Sequence, residues 1–302
     1  MYDLVSIGTV VFDLFFKGDN LTFEGERFEL AIGGKYFVDT FYENLGGGAT
    51  NVAVGAKKNG MNVGLAATIG DNVFKKLIME KLDEQQIDHS LSLIEQDYYN
   101  ISAVLVAGTG DRTIVNYRSK NQLMYSTPEQ FEKLSQTKAI YLANLPSITL
   151  DDRAKMLQYF KEKNIMTFSN IGIADCKKPF TEIRNFLSHI DVLIINCHEF
   201  SEMVRKPFDE INFKEYVKDQ YLGEFKDLVL VLTDGTNGSY GYFNGQVYFE
   251  PAVIADVIDA TGAGDAYTAG FISEYYKTKD IQAGMKNGAK YSSEIVSKVR
   301  SN

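Results

Sequence analysis

Cysteine and proline are scarce in this 302-residue chain, and basic residues are outnumbered by acidic ones. The two cysteines, Cys176 and Cys197, fall in no CxxC or Cys/His cluster with metal-ligand spacing, so a thiolate metal centre is excluded and a reduced thiol pair is expected. Five prolines, no internal repeat and no Pro/Ser-rich tract leave no point at which to divide residues 1–302, and a single domain is the expectation. No apolar run approaches the ~18 residues of a membrane helix. Met1 to Gly8 reads as a strand entering a turn, without the basic start and apolar core of a signal peptide, so a cytoplasmic protein without a membrane partner is expected. A formal charge of −9 repels polyphosphate backbones and argues against a nucleic-acid partner. A small anionic ligand is still admissible, because a few oriented backbone amides or a metal ion outweigh that field locally.

What the chain does contain is ample apolar material, 45% hydrophobic residues, arranged in short runs. Lys138 to Leu142, Ile165 to Phe168, Val192 to Ile195 and Leu228 to Leu232 read as buried strands. Between them, Thr149 to Lys163 carries Leu150, Met156, Leu157 and Phe160 at near-helical spacing, and Lys178 to Ser188 repeats the pattern. Strand and helix in alternation predict an α/β protein with a mostly parallel sheet covered on both faces. Two stretches depart from this. Phe15 to Tyr42 has isolated aromatics and glycines but no helix, and Ile101 to Arg118 is split by the turn-forming Ala107 to Asp111. Together they predict a small projecting sheet whose edge must be covered by substrate, body or a second subunit.

Two glycine-rich segments carry chemistry. Asp259-Ala260-Thr261-Gly262-Ala263-Gly264-Asp265 precedes an apolar helical stretch. Its glycines let the backbone approach an anion, the helix amides point outward, and Asp265 stands where it can take a proton from an attacking hydroxyl. A tight turn with Asp265 as helix cap is the plain alternative. Leu45-Gly46-Gly47-Gly48-Ala49-Thr50-Asn51 opens space beside Asn51, whose amide both donates and accepts and so suits a polyol. Asn51 as a simple helix-start residue is the competing reading. Neither segment is GxGxxG, which weighs against a nicotinamide-dependent oxidoreductase.

At these positions the chain resembles the PfkB, or ribokinase-like, carbohydrate kinases, and the resemblance extends over nearly its whole length. It implies a ribokinase-like α/β fold with a β-sheet lid, lid segments at about 14–43 and 98–120, and an ATP-dependent transfer of phosphate to an alcohol with Asp265 as base and Gly262, Ala263 and Gly264 as the anion hole. On the same resemblance, Asp13, Gly33, Gly34, Gly47 and Asn51 hold the acceptor. Asn196-Cys197-His198-Glu199 is similar to the Asn-x-x-Glu motif, with Glu199 supporting Mg²⁺ through water. Thr233-Asp234-Gly235-Thr236-Asn237-Gly238 resembles the nucleotide loop, so Thr233, Gly235, Gly238 and Asn196 are expected at ATP, with Asn287 beside adenine.

Relatives are commonly activated by a monovalent cation such as K⁺, which 254–258 leaves open, and many dimerise through the lid, so a homodimer is expected. Tyr117-Arg118 resembles a Tyr-Arg pair that holds a carboxylate, with Arg112 nearby, and marks these three as acceptor contacts. Ser169 to Ile173, however, lacks the acid and arginine of the Asp-x-Asn-x-Arg stretch of keto-acid kinases, which weighs against a keto-acid. A sugar, sugar acid or nucleoside is the expected substrate class. The alternatives are a nucleoside kinase of the same family and a non-catalytic sugar- or nucleotide-sensing relative.

Overall fold

The computed structural model describes residues 1–25, 27–119, 125–255 and 262–297. Its strands are β1 (Leu4–Thr9), β2 (Val11–Gly18), β3 (Thr22–Glu24), β4 (Arg27–Glu29), β5 (Thr40–Gly46), β6 (Val63–Asp71), β7 (Leu93–Gln96), β8 (Asn100–Ala107), β9 (Arg112–Arg118), β10 (Ala139–Leu142), β11 (Met166–Ser169), β12 (Val192–Asn196), β13 (Val229–Thr233), β14 (Ser239–Phe243) and β15 (Gln246–Glu250). Its helices are α1 (Gly48–Lys58), α2 (Lys75–Glu84), α3 (Pro128–Leu134), α4 (Leu150–Glu162), α5 (Ile173–Cys176), α6 (Phe180–Leu187), α7 (Cys197–Val204), α8 (Val217–Leu222), α9 (Ala263–Thr278) and α10 (Ile281–Val296).

The apolar runs read from the sequence become the centre of the main sheet. Among the described residues its order is β15-β14-β13-β12-β11-β10-β1-β6-β7, parallel from β13 to β7, with β14 and β15 antiparallel at one edge. All four residues of β10 and all of β6 up to Gly70 are buried, as strands covered on both faces must be. One face packs on α1, α9 and α10 through Tyr141, Phe168, Ile194, Tyr267 and Phe271. The other packs on α4, α6 and α7 through Leu157, Phe160, Phe186 and Phe200. Helix α4 starts where the sequence predicts, because the Thr149 side chain accepts from the Asp152 amide at 3.1 Å.

Strand order reverses between β1, which the chain leaves toward β6, and β10, from which it runs the other way. In an open parallel sheet the crevice beyond the carboxyl ends of two such strands is the natural ligand site.

The second sheet has the order β5-β2-β8-β9 and is built from the two stretches that lack helical periodicity. It stands on the body through Phe12, whose ring lies 5.2 Å from that of Phe74, and through an ion pair of Glu43 with Lys81 on α2 at 3.5 Å. Two of its four joints to the body are single residues: Val10 separates β1 from β2, and Gly47 separates β5 from α1.

Beneath the main sheet, Arg153 of α4 is fully buried and bonded to Asp175 of α5 at 2.5 Å, while Lys178 reaches the other Asp175 oxygen at 2.7 Å. Removing one partner of a buried pair strands the other charge in a poorly solvating interior. Asp175→Ala is therefore expected to lower unfolding free energy by about 3–5 kcal/mol in urea titration, with m unchanged.

Candidate active site

The site begins where α1 is seated on the end of β1. Gly47 has φ 98°, in the region that favours glycine, and a Cβ there would overlap the Thr9 carbonyl oxygen. The Thr50 hydroxyl donates to that same carbonyl at 3.1 Å, and Ser6 Oγ donates to the Ala49 carbonyl at 2.8 Å. The first turn of α1 is thereby fixed at the β1/β10 crevice. Its N-terminal residue has no side-chain cap, so the leading amides remain directed outward.

Helix α9 brings a second N-terminus to the same place. Gly262 caps it in the left-handed conformation, φ 74°, again without a side-chain hydrogen bond. Asp265 lies in its first turn but does not cap it: the carboxylate accepts from Asn51 Nδ2 at 2.7 Å. A Cβ on Gly48 would stand 3.7 Å from the other Asp265 oxygen, and one on Gly264 would meet nothing within 4 Å. Two outward-facing helix starts thus converge beside one oriented carboxylate, an arrangement suited to receive an anion next to a proton acceptor.

Further along the same sheet end, Asn196 and Thr233 are register partners at the tips of β12 and β13. Asn196 and Glu199 form a reciprocal cap on α7: the Glu199 amide donates to Asn196 Oδ1 at 2.7 Å, and the Asn196 amide donates to Glu199 Oε2 at 3.0 Å. Burial pushes the Glu199 carboxyl above its ordinary pKa, and the bond from the Asn196 amide pulls it back. Beside them Asp234 to Gly238 closes a tight turn, in which the Asp234 amide donates to the Gly238 carbonyl at 2.8 Å. The residues expected at ATP, Asn196, Thr233, Gly235 and Gly238, therefore stand on two neighbouring strand ends.

No group of three or more His, Cys, Asp or Glu side chains among the described residues forms a metal cage. The half-buried Glu199, capped through one oxygen, fits a Mg²⁺ that arrives with phosphates and keeps its own waters.

Other expected contacts are distributed differently. Asp13 projects from β2 against Gly46, at the mouth of the glycine turn. Gly33 and Gly34 occupy an exposed turn closed by the Gly34 amide on the Ala31 carbonyl at 2.9 Å. Tyr117 and Arg118 are consecutive in β9, so strand alternation sends them to opposite faces. Arg118 shares the face of Asp13. Tyr117 lies on the other, edge-on to Tyr99 at 6.4 Å. Arg112 is on the Asp13 face, toward the lid tip. Asn287 donates to the Gly270 carbonyl at 2.8 Å and to Asn59 Oδ1 at 3.2 Å, which ties α10 to α9 and α1 and commits its amide to helix packing. Asp259, Ala260 and Thr261, and most of 254–258, lie outside the described residues.

Three polar residues absent from the sequence expectations line or underlie the crevice. Asn144 follows β10 and Asn170 follows β11, and the buried Oδ1 of each accepts no hydrogen bond from the described residues. Tyr141 is wholly buried, its hydroxyl likewise without a partner there. Burial, with the nearby Asp265 and Glu199 carboxylates, pushes the Tyr141 pKa well up and keeps the ring neutral.

Comparison with known proteins bears on the fold and the family. A 5-dehydro-2-deoxygluconokinase of Bacillus subtilis is 24% identical over 320 residues, covering 98% of this chain and 90% of the relative. The structure of Arabidopsis thaliana ribokinase complexed with ribose and ATP superposes with a TM-score of 0.80 at 19% identity, over 99% of this chain and 94% of that one. The Methanocaldococcus jannaschii nucleoside kinase, a ribokinase-family member, gives 0.74 at 21% identity, over 98% and 92%. The fold is therefore ribokinase-like. Residues 1–302 match the pfkB family carbohydrate kinases from end to end, and the chain belongs to that family.

Proposed function

We propose that this enzyme transfers the terminal phosphate of ATP to a hydroxyl of a sugar or sugar-like molecule, with Asp265 as general base. The observation that carries this reading is the 2.7 Å bond from Asn51 to Asp265 at the meeting of two helix N-termini. It directs one carboxylate oxygen toward Asn51 and leaves the other beside Gly48, at the crevice. The acceptor is held between Asp13 and Asp265 under the lid sheet. ATP lies along Asn196 and Thr233 to Gly238. Glu199 would hold a Mg²⁺ through its waters, and that ion would supply charge neutralisation on the phosphates. Asp265 removes the hydroxyl proton as the oxygen attacks, while the amides of Gly262 to Gly264 and of the α1 start stabilise charge on the transferring group. Lid closure excludes water from the reaction.

A cytoplasmic setting fits the two buried thiols, of which Cys176 is pushed up to about 12 by burial and so kept unreactive. No helix among the described residues is long and apolar enough to cross a membrane. The lid supports a homodimer. Its face opposite Asp13 carries Phe41, Val115 and Tyr117, which are 56%, 62% and 61% exposed, and a second copy of the same apolar sheet face is the self-complementary cover. Val115→Asp is expected to move the chain from dimer to monomer in sedimentation velocity. An unchanged sedimentation coefficient would remove this surface from consideration.

The activity is tested by ADP release from Mg·ATP against ribose, fructose, 2-keto-3-deoxygluconate, phosphosugars and nucleosides. One compound should stimulate release, and Asp265→Asn should lower that turnover by at least about 10²-fold while nucleotide binding persists. Near-normal turnover would remove Asp265 as base.

Asn51→Asp tests the pairing itself. It places a second carboxyl against Asp265, and like charges raise the pKa of such a pair. The base then stays protonated to higher pH, so the acid limb of the kcat/KM profile should move up by about one pH unit or more. An unmoved limb would show that Asn51 does not act through Asp265.

A further inference from the structure

One rung of the lid sheet is polar from edge to edge. Asn44, Asp13, Ser102 and Asn116 stand in register across β5, β2, β8 and β9. The next rung outward on the same face is apolar, Tyr42, Phe15, Val104 and Ile114, with the Phe15 and Tyr42 rings stacked at 4.6 Å. Ser102 is only 3% exposed, although nothing in strand geometry requires a hydroxyl there. Burying polar groups in a sheet face costs free energy unless hydrogen bonds answer them. The rung supplies part of the answer: Ser102 Oγ donates to Asn116 Oδ1 at 2.7 Å.

That bond fixes which way the Asn116 amide faces. With Oδ1 on the Ser102 hydroxyl, Nδ2 lies on the other branch of the amide of an exposed residue, and none of the hydrogen bonds found among the described residues is donated by it. Asp13, in the same row, presents a carboxylate beside Gly46 at the mouth of the glycine turn. Adjacent strands are about 4.8 Å apart, so the carboxylate acceptor and the amide donor are rooted about 10 Å from each other on one face, the span of a sugar with its hydrogen bonds.

We propose that Asn116, held in orientation by Ser102, is a specificity-determining residue of the acceptor site, donating to an oxygen of a sugar derivative whose hydroxyl is held by Asp13. The inference deepens the phosphotransfer reading and rests on it for the fate of the acceptor, not for its binding. The rung sorts substrates by hydrogen-bond polarity: a compound with a hydroxyl at the Asp13 end and a carbonyl, ring or hydroxyl oxygen at the Asn116 end satisfies both groups. One with an apolar substituent at the far end leaves the amide unanswered.

Three variants separate this from a structural role. Asn116→Ala removes the donor, Asn116→Asp replaces it with an acceptor of nearly the same shape, and Ser102→Ala releases the amide while leaving it in place. Binding of ribose, fructose, 2-keto-3-deoxygluconate and adenosine to the full chain is measured by titration calorimetry without nucleotide, and ADP release is measured with Mg·ATP. For the compound that the wild-type chain binds, Asn116→Ala should weaken binding about tenfold, Asn116→Asp more than that, and Ser102→Ala less, with KM for ATP unchanged. Thermal midpoints of the two Asn116 variants should stay close to wild type, because Asn116 is exposed at the lid surface.

Binding by both Asn116 variants within twofold of wild type would overturn the inference. So would a wild-type chain that binds none of the four compounds. Binding that follows the expected order without any turnover supports the inference and overturns only the phosphotransfer reading.

Discussion

Everything at the crevice depends on one close approach, the Gly47 backbone against the carbonyl of Thr9. That carbonyl is the last of β1 and also accepts the Thr50 hydroxyl, so a strand end and a helix start are held as one piece. From this seat α1 presents Asn51 to Asp265, across 214 residues of sequence, and carries Gly48 under the same carboxylate. A side chain at position 47 would push α1 away from β1 and separate the two helix N-termini that meet beside Asp265. The local backbone demand is small, but the chemistry of the site is built on it.

Much of the framework is legible in the chain because it obeys short-range rules. Val192 to Ile195 and Leu228 to Leu232 are apolar throughout, as buried parallel strands must be, and they appear as β12 and β13 with a shift of one residue. Thr149 announces α4 by its capping chemistry. The lid is legible by exclusion, since Phe15 to Tyr42 has no helical period. Catalytic geometry is harder to read. Asn51 looks equally like a polyol ligand and a helix-start residue until α9 packs beside α1 and supplies Asp265. Asn287 is expected beside adenine, and only the packing of α10 on α9 reveals that its amide nitrogen also donates to the Gly270 carbonyl.

Two further cases turn on strand geometry that the sequence already contains. The separation of Tyr117 from Arg118 follows from the period of two within β9. The pairing of Ser102 with Asn116 follows from the turn at Ala107 to Asp111, since counting outward from that turn brings the two residues opposite each other. Tyr141, by contrast, has no sequence signature. It is one more apolar-looking position in a buried strand, and its hydroxyl has meaning only from what lies above it.

The lid also has a bearing on how such a protein can change its substrate over evolutionary time. Its four strands leave the body in two excursions, 11–46 and 100–118, and each returns close to where it departed. The main sheet, the α9 helix start and the β12 and β13 strand ends contribute no strand to it. Residues on the polar rung can therefore be exchanged with little consequence for the folding of the body or for the β12 and β13 strand ends. Under the proposed function, recognition of the acceptor falls to a module that mutation can rewrite, joined by single-residue links at Val10 and Gly47 and by two further segments to a core that it cannot.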